Sequence, residues 1–386
     1  MSLVENIAED RAAARFDVAI ESALAEGRIV GGVVLVAQDG EIVYRRAAGL
    51  ADREAGRPMR EDAIFRYASL TKPIVSAAAL ALVEAGRLDL AAPVTRWLPD
   101  FRPALADGSR PPITLHQLLT HTSGLGYRFS EPQGSTFHAL DISDGLDQPG
   151  LSLAENLRRL VAAPLSFAPG TAWRYSLGLD VLGAVIERAA DRPLADVVRQ
   201  HVTRPLGLTD TGFAVTDMSR LVTPYAEGRP QPLLMSDGMA VPLWDGAVRF
   251  APSRILDPAS YASGGAGMAG TAGDMLHFLE AVRLGGAPIL TARSVEAMTT
   301  PQAGHPAQGP GWEFGYGWSV LVDPILAETP QSKGTIRWGG VYGHSWFVDP
   351  TQKLSVVILT NTAYEGMIGQ ITLDVRDAVY GVPATA

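Results

Sequence analysis

The sequence has no cysteine, which excludes disulfides, thiolate metal sites and cysteine nucleophiles together. Lysine is nearly absent too: positions 72, 333 and 353 are the only three among 32 basic residues. No apolar run approaches the 18 residues that suggest a membrane span. The arginines are scattered and the formal net charge is −9, so there is no basic footprint for nucleic acid or an anionic membrane surface. The stretch "MSLVENIAEDRAAARFDVAIESALAEG" mixes acids into a helical pattern and lacks a basic start and apolar h-region, so it reads as a helix and not a signal peptide. The expected location is the cytoplasm.

What is present is a chain of 386 residues with 47% hydrophobic composition, enough for a sizeable core in one large unit or two closely packed ones. "IVGGVVLVAQDGEIVYRRAAGL" reads as two β-rich runs around Asp39-Gly40, a dipeptide that favours a tight hairpin turn. Near the other end "GYGWSVLV", "GTIRWGG", "HSWFVD" and "LSVVILTNT" are strand-like. Between them "IVSAAALALVEAG", "TLHQLLTH", "LAENLRRLVA" and "LGLDVLGAVIERAA" space their apolar residues by three and four, as helices do. The prediction is an α+β fold. Its antiparallel sheet comes from both chain ends (1–80 and 250–386) and is flanked by helices, and a mostly helical insertion (81–249) forms the other wall of a cleft. The Pro- and Gly-rich residues 225–253 are too long for a casual connection and are expected to wall that cleft.

The chemistry centres on "ASLTKP". Ser69 and Lys72 are three apart at the predicted start of a helix, so their side chains share one face, and Pro73 falls in the first turn, where proline is tolerated. A helix N-terminus favours a developing oxyanion and disfavours an ammonium ion. Arginine stays protonated in proteins, whereas a desolvated lysine gives up its proton readily, so a site needing a neutral amine explains a lone lysine. Neutrality near pH 7 requires the Lys72 pKa to fall by roughly 3 from about 10.4, equivalent to about 4 kcal/mol. The plainer alternative makes Ser69 an N-cap and Lys72 a solvated first-turn residue. Tyr175, after the Pro169-Gly170 turn and just before a helix, is either a packed amphipathic residue or a proton carrier. Gly339 and Gly340 leave a strand bare enough for a substrate to approach, or mark a bulge.

In order and spacing, "ASLTKP", "LLTHTSGL", "FAPGTAWRYS", "RPLGLTDTGF", "SGGAGMAGTAGDMLHFL" and "WGGVYGHSWFVDP" resemble blocks of the penicillin-binding-protein and class C β-lactamase superfamily, in particular its family VIII carboxylesterase branch. The resemblance implies Ser69 as nucleophile, Lys72 as its proton-transfer partner, and Tyr175 as a shared general base that protonates the leaving group. It also implies an oxyanion hole from the N–H groups of Ser69 and Val341, with Trp338, Gly339, Gly340 and Leu177 along the substrate; His344, beside that strand, reads as a structural residue or a substrate contact and not a catalyst. Two departures from the β-lactamase pattern stand out. Tyr175-Ser176-Leu177 replaces Tyr-x-Asn, and Trp338 replaces the lysine of Lys-Thr-Gly. Both favour neutral, apolar esters. The expected activity is a carboxylesterase acting on short-chain esters, with β-lactamase, D,D-peptidase, amide hydrolase or acyltransferase as alternatives on the same site. No cofactor is expected. No metal is expected either: there is no His-Glu-x-x-His, and His116 and His121, five apart, do not share a helical face. The sequence leaves the oligomeric state open. No Gly-x-Ser-x-Gly elbow occurs.

Overall fold

A computed structural model describes residues 10–382. The first nine residues of the predicted N-terminal helix lie outside that span, and the described helix α1 runs Asp10–Ala25. The chain then enters β1 (Gly31–Gln38) and β2 (Glu41–Asp52). Asp39 and Gly40 between them both have positive φ, 53° and 91°, the backbone that a two-residue hairpin turn demands and that Asp-Gly supplies at little cost. A short β3 (Arg57–Pro58) follows. The remaining strands arrive some 250 residues later: β4 (Trp312–Phe314), β5 (Ser319–Leu321), β6 (Ile336–Gly340), β7 (His344–Asp349) and β8 (Leu354–Thr360).

All eight form one antiparallel sheet in the order β4-β5-β6-β7-β8-β1-β2-β3, so the two chain ends meet where β1 pairs with β8 from Gly32↔Thr360 to Gln38↔Leu354. Central strands are apolar on both faces, which accounts for runs such as "VVLV" and "VVIL" that do not alternate with polar residues. Alternate side chains still part to opposite sides. Val34, Val36, Val356 and Ile358 pack with Phe16, Ile20, Val375 and Val379 from α1 and from the C-terminal helix (Gln370–Tyr380). Val33, Leu35, Val357 and Leu359 join the larger core on the other face.

That larger core is built on α2 (Thr71–Glu84), whose residues 71–82 are all buried. It meets α3 (Gly178–Ala190) and is closed against the sheet by α4 (Ala272–Arg283), with the C-terminal helix Gln370–Tyr380 as α5. Shorter helices lie between α2 and α3. Leu115–Leu119 starts on a capping box in which Thr114 accepts from the Gln117 N–H and Gln117 reaches back to the Thr114 N–H. Leu153–Ala162 is capped by Ser152. Residues 225–253 are not a structureless connection: they fold into two small hairpins, Tyr225–Ala226 with Leu233–Leu234 and Met239–Leu243 with Gly246–Phe250. Among the described residues no helix is long and apolar enough to cross a membrane.

Candidate active site

Ser69 sits in a short 3-10 turn, Ala68–Leu70, that runs directly into α2. The residue before it, Ala68, is held at φ +48°, a left-handed conformation that costs an alanine roughly 1 kcal/mol and that surrounding packing must impose. One helical turn on, Lys72 is wholly buried. Its Nζ lies 3.0 Å from Ser69 Oγ and donates to the carbonyl of Gly265 at 2.7 Å. The Tyr175 hydroxyl donates to the same Ser69 Oγ at 2.8 Å. Residues 69 and 72, which share one motif, and residue 175, from a distant stretch, therefore converge on one oxygen atom.

Burial governs the protonation of this group. Taking the Lys72 ammonium out of water pushes its pKa down to about 7, and the more distant charges of Asp180 and Asp144 only partly oppose that. Tyr175 moves the other way: burial pushes its phenol well above the usual tyrosine value, with its bond to Ser69 a smaller opposing effect. At neutral pH the site thus holds a phenol and an amine that gains or loses its proton readily. The lysine is also enclosed by aromatic faces, its Nζ 4.6 Å from the Tyr175 ring centre and 5.4 Å from that of Tyr127.

Three residues beside the lysine were not singled out by sequence reasoning. Asp180, on the first turn of α3, is fully buried, and burial raises its pKa above the usual carboxylate range. A side-chain carbon added at Gly265 would come within 2.6 Å of Asp180 Oδ2, 3.0 Å of Tyr127 Oη and 3.5 Å of Lys72 Nζ, so that carbonyl reaches the lysine only because residue 265 is glycine. The one available signal was a single carboxylate inside the apolar run "LGLDVLGAVI". Tyr127, in an irregular segment, had none. His121, which the spacing excludes as half of a metal pair, has a structural environment. The backbone N–H of Ser176 donates to its Nδ1 at 3.2 Å, the N–H of Arg174 to its carbonyl at 2.9 Å, and its ring meets that of Tyr175 edge-on at 4.8 Å. Both neighbours of Tyr175 in the chain are anchored on this one histidine.

The wall opposite the serine is β6. Gly340 packs against the segment leading to the serine so tightly that a Cβ there would stand 2.4 Å from the Tyr67 carbonyl oxygen. Trp338, Gly339 and Val341 line a cavity of about 330 Å³ together with Ser69 and Tyr175. Phe129, Gln308 and, from the tip of a small hairpin, Leu243 and Trp244 complete its mouth. Residues 225–253 thus contribute to the cleft wall. Of the expected substrate contacts, Gly340 is not in the lining, and two more lie elsewhere. Leu177 is fully buried at the start of α3, its side chain in the core and not in the cavity. His344 is buried behind β6, where its Nε2 bonds the Arg66 carbonyl at 2.8 Å and its ring meets Phe65 edge-on at 5.6 Å. Burial lowers its pKa to about 4, so it is a neutral tie between β7 and the segment before the serine. No cluster of three or more metal-ligating side chains occurs among the described residues.

A serine, a buried lysine and a tyrosine around one oxygen, between an antiparallel sheet and a helical layer, define a serine hydrolase. The chain belongs to the Beta-lactamase family, whose pattern it matches over residues 16–379. It is 59% identical to Esterase EstB of Burkholderia gladioli over 373 residues, 95% of each chain. Among solved structures it is similar to EstCE1, described as a hydrolase with promiscuous acyltransferase activity. There the identity is 48%, the TM-score 0.94, and the match covers 97% of this chain and all of the other. Simvastatin synthase from Aspergillus terreus has the same fold at 23% identity and TM-score 0.74, over 97% of this chain and 99% of that one.

Proposed function

We propose that this protein is a serine carboxylesterase that hydrolyses small, mainly short-chain esters through an acyl-enzyme on Ser69. The observation that carries the reading is the shared contact of Lys72 Nζ and Tyr175 Oη with Ser69 Oγ, 3.0 and 2.8 Å away. As Oγ attacks the ester carbonyl, the neutral Lys72 amine takes the serine proton and becomes an ammonium, while the carbonyl oxygen gathers negative charge between the N–H groups of Ser69 and Val341. Collapse breaks the bond to the alcohol. Tyr175 hands its proton to the departing oxygen and recovers one from Lys72. Water then repeats the sequence on the acyl-enzyme, and the acid leaves.

Support for an ester substrate comes from the 59% identity to an esterase and from the cavity wall, where Trp338 occupies the slot that is lysine in penicillin-recognising relatives. An alcohol in place of the second water would make the product a new ester. The similarity to EstCE1, with its promiscuous acyltransferase activity, favours that side reaction. The reading carries no cofactor, no metal, no nucleic-acid or membrane partner, and a cytoplasmic location.

The test compares purified enzyme on short-chain nitrophenyl esters and on a chromogenic cephalosporin, with fluorophosphonate labelling of wild type and Ser69→Ala. Fast ester cleavage, weak or absent cephalosporin cleavage and a single label lost in Ser69→Ala are expected. Labelling that survives the substitution, or the reverse substrate ranking, overturns the reading.

A further inference from the structure

The cavity that holds Ser69 does not end at the cleft. β6 has a sheet partner on its outer side only at its beginning, where Ser319 pairs with Arg337 and Val320 with Ile336, so Trp338–Gly340 form an open edge. The same cavity continues past Gly339 to Arg337, Ser345 and Phe347, and is bounded there by Thr372, Leu373 and Arg376 of α5. Not one of the described aspartates or glutamates lines it, in a chain with 41 acidic against 32 basic residues.

Arg337 is the unusual member of this rear lobe. It is half-buried, its guanidinium lies 3.6 Å over the ring of Trp312, and among the described residues it has neither an ion pair nor a hydrogen-bond acceptor. Neighbouring Arg376 is neutralised by Asp377 at 2.6 Å. Burial, and after it the charge of Arg376, pull the Arg337 pKa down to about 10, which still leaves a full positive charge at neutral pH. A stack on tryptophan is worth about 0.5–2 kcal/mol but supplies no acceptor for the five N–H donors of a guanidinium. Ser319, directly across the ladder from Arg337, is buried in the same wall with its Oγ unpartnered. A planar donor fork with no acceptor, beside a free hydroxyl in a cavity lined by no carboxylate, has the chemistry of a carboxylate receptor.

We propose that Arg337 is a carboxylate subsite of the active cavity. The enzyme then accepts esters whose far end, on the acyl or the alcohol limb, carries a carboxylate lying over the open edge at Gly339. This rests on the esterase reading and extends its substrate class beyond neutral esters. Four residues of extended strand separate Val341 from Arg337, roughly 13 Å, and a hydrogen bond of about 3 Å to the carboxylate closes part of that span, so the linking chain is roughly eight carbons long.

Two substrate pairs at low ionic strength distinguish the limbs: nitrophenyl monosuberate against nitrophenyl octanoate, and the acetate ester of 8-hydroxyoctanoate against octyl acetate. In wild type one carboxylate-ended ester is expected to have at least tenfold higher kcat/KM than its neutral counterpart, through KM, with the advantage shrinking in high salt. Arg337→Met and Arg337→Gln should bring the ratio near one and weaken calorimetric binding of suberate at least tenfold. A wild-type ratio at or below one for both pairs overturns the subsite, and this reading is available even if both variants fold poorly. A ratio retained in the folded variants overturns it as well. Arg337-dependent suberate binding without cleavage of any ester would leave the subsite standing and overturn the esterase instead.

Discussion

Replacing Lys72 by methionine should abolish activity and yet make the protein more stable at acidic to neutral pH. The lysine is fully buried, and a pKa of about 7 in the fold against about 10.4 in the unfolded chain means that the folded site disfavours the ammonium by about 4–5 kcal/mol. The sign follows from proton counting. Between these two values the unfolded chain binds more protons than the native one, so wild-type stability rises with pH across the window, and below about pH 7 the whole penalty is present. Methionine fills a similar volume with no charge to desolvate. Against its gain stand the two hydrogen bonds lost to Ser69 Oγ and the Gly265 carbonyl, about 1 kcal/mol each, and the cost of leaving that carbonyl buried without a donor. The variant is therefore expected to lead by about 1–3 kcal/mol at pH 6, and its lead should shrink by about 4 kcal/mol by pH 10.5. Urea unfolding of both proteins at matched pH values measures this directly. A gap that stays constant to within about 1 kcal/mol from pH 6 to 10 would refute the claim that the lysine is held against its own charge.

The same property sets the activity profile: kcat/KM for a neutral ester should rise with an apparent pKa near 7 as Lys72 loses its proton, and a flat profile from pH 5 to 9 would contradict the amine as base. Tyr175→Phe keeps the ring packed on His121 and removes only the hydroxyl, so kcat should fall about 100- to 10,000-fold with the fold unchanged by circular dichroism. Retention of more than a tenth of the activity would remove the tyrosine from the proton path.

Much of this molecule was legible in its sequence because local signals and tertiary demand coincide there. Asp39-Gly40 turns where the dipeptide prefers to turn, and Leu153–Ala162 forms a helix at its three- and four-residue apolar spacing. The rarity of lysine marks the site because, of lysine and arginine, only lysine surrenders its proton readily on burial. What could not be read are the parts created by convergence of distant segments. Gly265, Tyr127 and Asp180 approach Lys72 from three separate stretches of chain, and only the folded backbone brings their atoms together. The resemblance puts Leu177 beside the substrate and proximity to the oxyanion strand offers His344 the same place, but a helix start and a strand each send neighbouring side chains in different directions, and both turn into the interior. The edge strand Trp312–Phe314 is three residues long, too short for alternation to show, yet its tryptophan carries Arg337.

The pairing of β1 with β8 has a consequence for how the molecule is made. Ser69 leaves the ribosome long before residue 341, and at 5–20 residues per second the intervening chain takes roughly 15–55 seconds to translate. During that time the valine-rich first hairpin has no neighbour along its free border, and the nascent protein has no acyl-transfer chemistry to perform. On the proposed mechanism, activity switches on only once the strand that ends at Val341 has been made, so a truncated product that lacks it lacks half of the oxyanion hole and exposes an adhesive strand border.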